Sequence, residues 1–190
     1  MQKPARPEAG EPPARRETLG WMDPGRRITV ALLTKIHEQI DKTADLLHSV
    51  PAGQLDWRPL PETWTIGLLI GHLLDCTAGF CAVLAALEPQ RLAHFAELRS
   101  LPVNHSCAPA EAVSRMALYR ARIDEGFALL DDLRLSQLVS TAFVPAGEPL
   151  VTLLLGNLEH LINHKHQLFT YLKQMGVEVT TRDLYRFRGE

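Results

Sequence analysis

The chain is poor in cysteine, in net charge and in strand signal, and each shortage removes a class of protein. Its three cysteines, Cys76, Cys81 and Cys107, are spread over 190 residues without a CxxC pair. There is therefore no disulfide framework, and a reducing cytoplasm suits them. Twenty basic residues against 22 acidic ones leave a formal charge of -2, which gives no basic surface for nucleic acid or an anionic membrane. A small-molecule partner is expected instead. There is no internal repeat, and the one β-like stretch is Val177–Thr181, "VEVTT".

What remains is helical. Hydrophobic residues make up 46% and charged residues 22%, close to globular averages, and the length suits one well-buried core. The first twenty residues hold four prolines and charges of both signs, with no apolar run for a signal peptide and too much acid for a transit peptide. Residues 1–22 read as a disordered tail, 23–178 as the domain and 179–190 as a C-terminal extension.

Four segments carry helical periodicity. The first, from Arg26 to Val50, places Val30, Leu33, Ile36, Ile40, Ala44 and Leu47 at steps of three and four. The second follows a Pro-rich connector whose Trp57 and Trp64 call for burial, with Thr65 as N-cap. It is apolar almost all round and long enough to cross a bilayer, but His72 and Asp75 near its middle and the lack of a basic flank favour the central helix of a bundle. The stretch "QRLAHFAELRS", residues 90–100, carries a weak helical signal. A third helix runs from Pro109 to Leu133, and a fourth from about Leu150 to Met175, with Gly176 as its stop. Four long helices imply an all-α four-helix bundle.

The chemistry lies in "EHLINHKHQLFTYLKQMG". At 100° per residue His160 and His164 project along one line and His166 points away from it. The same line carries Asn157, Gln167 and Tyr171 beside an apolar face that includes Leu154, Leu155, Leu158, Leu161 and Leu168. Two imidazoles four apart can share a metal, as in HExxH proteases, but "HLINH" lacks the glutamate and is not a protease motif. His72, set among leucines in the second helix, is an available third ligand. Three imidazoles and an open position would suit zinc, nickel or another divalent first-row ion. The competing reading is that these histidines are hydrogen-bonded core residues.

"WRPLPETWTIGLLIGHLLD" followed much later by "HLINHKHQLFTYLKQMG" resembles the DinB/YfiT-like superfamily of bacterial metalloproteins. The shared elements are a W-x-P segment, an aromatic-Ser/Thr cap, a histidine in the second helix and H-x-x-x-H-x-x-Q in the fourth, over about Arg26 to Gly176. The resemblance places the metal ligands on His72, His160 and His164. It implies an up-down-down-up bundle and a homodimer, while the three-imidazole set suits zinc or nickel first, with manganese or iron as further options. Related proteins are thiol-dependent transferases and isomerases that use low-molecular-weight bacterial thiols, or hydrolases. The expectation is a metalloenzyme that activates water or such a thiol, the alternative a non-catalytic metal-binding stress-response protein. Asn163 and His166 stand where family members often have histidine and glycine.

Several residues stay open. Asp75 is a catalytic candidate, as general base or orienting carboxylate, or else a surface acid. Cys76 is a fourth soft ligand or, more simply, a small buried hydrophobe. Gln167 and Tyr171 are donors to the histidines or packing. Lys165 falls in the apolar arc, to snorkel at a dimer contact or reach an active-site anion. His37, His48, His94, His105 and His166 are expected at the surface or in loops.

Overall fold

A computed structural model describes residues 23–142 and 144–186; the expected N-terminal tail lies outside them. The helices are α1 (Arg27–His48), α2 (Ile66–Leu87), α3 (Pro109–Phe127), α4 (Leu150–Gln174) and a short α5 (Thr181–Leu184). Leu138–Val139 (β1) pairs antiparallel with Glu148–Pro149 (β2). The fold is an all-α four-helix bundle whose core is built from Ile36, Ile40 and Leu47 of α1, Leu69, Leu73 and Phe80 of α2, Tyr119 and Phe127 of α3, and Leu161 and Leu168 of α4.

Cross-helix contacts fix the directions. Gly67 and Gly71, early in α2, accept from Cys107 and Asn104 just before α3, and Gly126 at the end of α3 packs on Leu84 at the end of α2. The helices α2 and α3 therefore run the same way. Asp132 beyond the end of α3 meets Thr29 at the start of α1, and Asn157 early in α4 bonds the Cys76 carbonyl midway along α2, while His160 meets the earlier His72. Thus α1 opposes α3, α4 opposes α2, and the order is up-down-down-up. Parallel neighbours need a long connection, and residues 88–108 supply it, with a 3-10 segment at Ala93–Ser100 where the sequence signal is weak.

Local chemistry explains the boundaries. Thr65 caps α2 by accepting from the Leu68 amide at 3.2 Å. The third helix stops at Phe127, short of the expected Leu133, because Asp132 turns back to accept from the Ile28 and Thr29 amides at 3.1 and 2.8 Å and so caps α1. "VEVTT" is not a strand. Gly176, with φ 79, ends α4, and the Val177 amide returns to the Leu172 carbonyl. Thr180 and Asp183 then form the capping box of α5. Leu155, expected on the buried face, is half exposed.

Lys165 neither snorkels nor reaches an anion. It is 1% exposed and donates to Gln39 Oε1 at 2.5 Å and to the Leu184 carbonyl at 2.7 Å, tying the C-terminal segment to α1. Burial pushes its pKa down to about 8. The unfolded value is about 10.4, so below pH 8 both states carry the proton and the penalty is constant. Between those values the unfolded chain binds more protons, and the folded state gains. Relative to Lys165→Met, which keeps the stem without the charge, the wild type should gain about 2–3 kcal/mol between pH 8 and pH 10. Urea midpoints of both proteins at each pH check this; a constant gap contradicts it.

Candidate metal centre

The helices α2 and α4 bring His72, His160 and His164 together. Ring centroids are 4.9 Å apart for His72 and His160, 4.3 Å for His72 and His164, and 4.8 Å for His160 and His164. His166 is exposed and lies against Phe169, not against the trio. The antiparallel packing of α2 on α4 does this: Asn157 donates to the Cys76 carbonyl at 2.8 Å, and a Cβ at Gly79 would overlap Asn157, so the helices lie close where the imidazoles meet.

Two of the rings are oriented from behind. His72 Nδ1 is 2.7 Å from Asn104 Oδ1, and His164 Nδ1 is 2.9 Å from Gln167 Oε1. Both amide oxygens are acceptors, so each Nδ1 carries the proton and each Nε2 is left with its lone pair. Gln167 Nε2 in turn donates to the Tyr171 hydroxyl at 3.0 Å, and Tyr171 meets the edge of Trp57, 5.6 Å between centroids. His72 Nε2 and His160 Nε2 face each other at 3.0 Å. One of them must donate to the other, or a cation must sit between them. In a tetrahedral zinc site with Zn–N of about 2.0–2.1 Å, donor nitrogens lie roughly 3.3 Å apart. Desolvation lowers the pKa of both His160 and His164; the His72 charge lowers it further for His160, whereas the Gln167 hydrogen bond partly offsets it for His164. Neutral imidazoles are the form that ligates metal; with His72 Nε2 facing His160 Nε2 and the His164 ring beside both, the residues present fit a divalent ion.

Cys76 lies beside them: its Sγ and one ring nitrogen each of His72 and His160 are within 4.8 Å of one another. Burial, then the nearby Asp75 carboxylate, pushes its thiol up to about 12, so it is neutral. Asp75 does not hold the His72 ring in place; its carboxylate is 4.0 Å from Nδ1, and Asn104 has the short contact. Asp75 is half-buried at the rim.

Trp64, which the sequence suggested would be buried, is 41% exposed. It stacks on His164 at 5.5 Å and meets His72 edge-on at 4.6 Å, so its ring lies against both imidazoles.

A match to the DinB superfamily model spans residues 35–168. The chain belongs to the DinB superfamily. Its fold is similar to that of a DinB-like protein of Bacillus subtilis, at 15% identity and TM-score 0.60, covering 83% of this chain and 96% of that one. It is also similar to a DinB-like protein of Bacillus cereus, at 14% identity and TM-score 0.64, covering 80% and 95%. No curated protein matches the chain. Within this DinB-superfamily bundle there is a possible histidine-based metal site, and His72 and His160 are among its close donor groups.

Asn104 is the residue that sequence reasoning missed. It lies 32 positions beyond His72, in a loop without periodicity, and has φ 56, a left-handed conformation that asparagine tolerates better than most residues. Asn104→Gly keeps that backbone freedom and removes only the acceptor. It should weaken zinc binding by roughly 10–100-fold with little change in apo-protein melting. Zinc competition against a chromophoric chelator measures the first and circular dichroism the second. Unchanged affinity would remove Asn104 from the site.

Proposed function

We propose that the protein is a metal-dependent enzyme in which His72, His160 and His164 hold a divalent ion, zinc or nickel, with a position left open for substrate. The observation that supports this is the cluster of three imidazoles, ring centroids 4.3–4.9 Å apart, with His72 and His164 held through Nδ1 by Asn104 and Gln167 so that each Nε2 keeps its lone pair. A bound ion would lower the pKa of water or of a small thiol and so make a nucleophile near neutral pH. Asp75, beside His72, would accept a proton from the incoming nucleophile. Trp64 and Leu68 supply the apolar surface against which the electrophile lies. Asn104 and Gln167 fix ring tautomers throughout.

The substrate class that suits this opening is a low-molecular-weight thiol with an apolar electrophile, or an ester or amide to be hydrolysed. The protein is further proposed to be cytoplasmic, where its free cysteines stay reduced, and homodimeric. The alternative reading, metal binding without catalysis, shares the same three ligands.

The deciding measurement is metal per chain in protein purified with its native ion. His72→Ala and His164→Ala should each lose one equivalent; unchanged stoichiometry in both would falsify the ligand set. With metal established, thiol conjugation to electrophiles is assayed beside ester and amide hydrolysis. A rate abolished in His164→Ala assigns the chemistry, and inactivity in every assay favours the binding role.

A further inference from the structure

A second set of metal-ligating side chains lies where the crossover enters α3. One ring nitrogen of His105, the Cys107 Sγ and a Glu111 carboxylate oxygen are all within 4.8 Å of one another. No residue of this set belongs to the histidine trio. His105 Nδ1 is buried and has no hydrogen-bond partner, a costly state for a ring nitrogen. Cys107 is a free thiol, 1% exposed, whose directional contact is a long one to the Ala108 carbonyl at 3.5 Å and which also leans on Glu111.

The backbone holds these groups in place. The Asn104 amide donates to the Gly71 carbonyl at 3.1 Å and the Cys107 amide to the Gly67 carbonyl at 3.1 Å, pinning both sides of His105 to α2. Glu111 is fixed in the first turn of α3, which has no side-chain cap. The positive end of that helix favours the Glu111 carboxylate in its first turn, while the Cys107 thiol, just ahead of the N-cap, is held protonated by burial and by Glu111, its pKa pushed up to about 11, until a metal displaces the proton. Arg115 meets Glu111 at 3.5 Å and would oppose a bare cation. A thiolate and a carboxylate together cancel a double positive charge, so the occupied set presents no net charge to Arg115.

We propose that His105, Cys107 and Glu111 form a second site for a thiophilic divalent ion of the zinc type, independent of the histidine trio. Nitrogen, sulfur and oxygen donors in this combination suit zinc, with solvent able to fill a fourth position beside the exposed Glu111. On binding, the Cys107 S–H bond breaks, its proton leaves to solvent, and the sulfur lone pair forms the bond to the metal. No change of oxidation state is involved. Because Asn104 adjoins His105, occupancy would also stiffen the loop that orients His72.

Cobalt(II) is the probe, added to chelator-treated full-length protein, because a thiolate on cobalt gives an intense near-ultraviolet charge-transfer band that imidazole and carboxylate ligands do not. The band should appear on titration and persist in the His72→Ala/His160→Ala double variant and in Cys76→Ser. It should vanish in Cys107→Ser. His105→Ala and Glu111→Gln, which keep the thiol, should each weaken cobalt binding by at least about a hundredfold, since even residues behind a ligand are worth 10–100-fold. Absence of the band in wild type would overturn the proposal, as would its loss with Cys76→Ser and survival with Cys107→Ser. If Cys107→Ser fails to fold by circular dichroism, the other two variants decide: unchanged cobalt affinity in both refutes the site.

Discussion

His160→Ala is expected to leave the bundle folded and to lower affinity for zinc or nickel at the trio by at least about a hundredfold. The position is half-buried and alanine is the best helix former, so the scaffold has little to lose. The short polar contact of His160 is with His72 Nε2 at 3.0 Å, beside the His164 ring and the Cys76 Sγ. His72 and His164 stay oriented by Asn104 and Gln167, so the variant removes a donor and leaves the remaining two in place. The effect has a thermodynamic signature that does not depend on any assay of turnover. An ion that binds only the folded state stabilises it by about 2.7 kcal/mol at a hundred times its dissociation constant. Wild type should therefore melt higher when zinc is added, and His160→Ala should rise less, what remains coming from the second site at His105, Cys107 and Glu111. Equal metal-induced shifts in the two proteins would show that the ion binds elsewhere.

Gly71→Ala should be the most damaging single methyl in the chain. A Cβ at this position would overlap the carbonyl oxygen of His105 and lie 2.8 Å from its carbon and 2.9 Å from its nitrogen. These are backbone atoms, which cannot rotate away as a side chain would, so relief requires the loop to lift from α2. Lifting it breaks the Asn104–Gly71 and Cys107–Gly67 hydrogen bonds, exposes Cys107 and carries Asn104 away from His72. The expected loss is roughly 3–5 kcal/mol, the range of severe core defects, with a parallel fall in zinc affinity. Urea unfolding and chelator competition on the same sample check both. Gly156→Ala in α4, where a Cβ would meet nothing within 4 Å, is the control and should be neutral or stabilising. A Gly71→Ala protein with wild-type stability would mean that the loop is not packed on α2 as described.

The bundle was readable in the sequence because its helices declare themselves through spacing that is local. Ile36 and Ile40, or Leu161 and Leu168, repeat at helical steps whether or not their partners are known, and Thr65 is a cap recognisable from its own neighbourhood. The juxtaposition of His72 with His160 and His164 was legible only through the family pattern, since periodicity says which residues share a face and not which faces meet. Features that depend on two distant segments were not legible. The carboxylate of Asp132 ends α3 early because it is needed at the start of α1, about a hundred residues away. Lys165 is inside because Gln39 and the Leu184 carbonyl are there to receive it. Trp64 is half exposed because its ring covers two imidazoles instead of entering the core. Asn104 had no sequence signal beyond a general tolerance for left-handed backbone, and its importance comes entirely from where the crossover lays it down.

That crossover has a kinetic consequence. Parallel α2 and α3 oblige residues 88–108 to travel the length of the bundle, and they do so as loop and 3-10 turns, anchored by the buried Leu92, Phe95, Leu98 and Cys107 and by the Asn104–Gly71 and Cys107–Gly67 hydrogen bonds. Such a segment opens at a free energy well below that of global unfolding. Since Asn104 travels with it, a variant that loosens this strap should release an ion from His72 sooner while the four long helices stay intact.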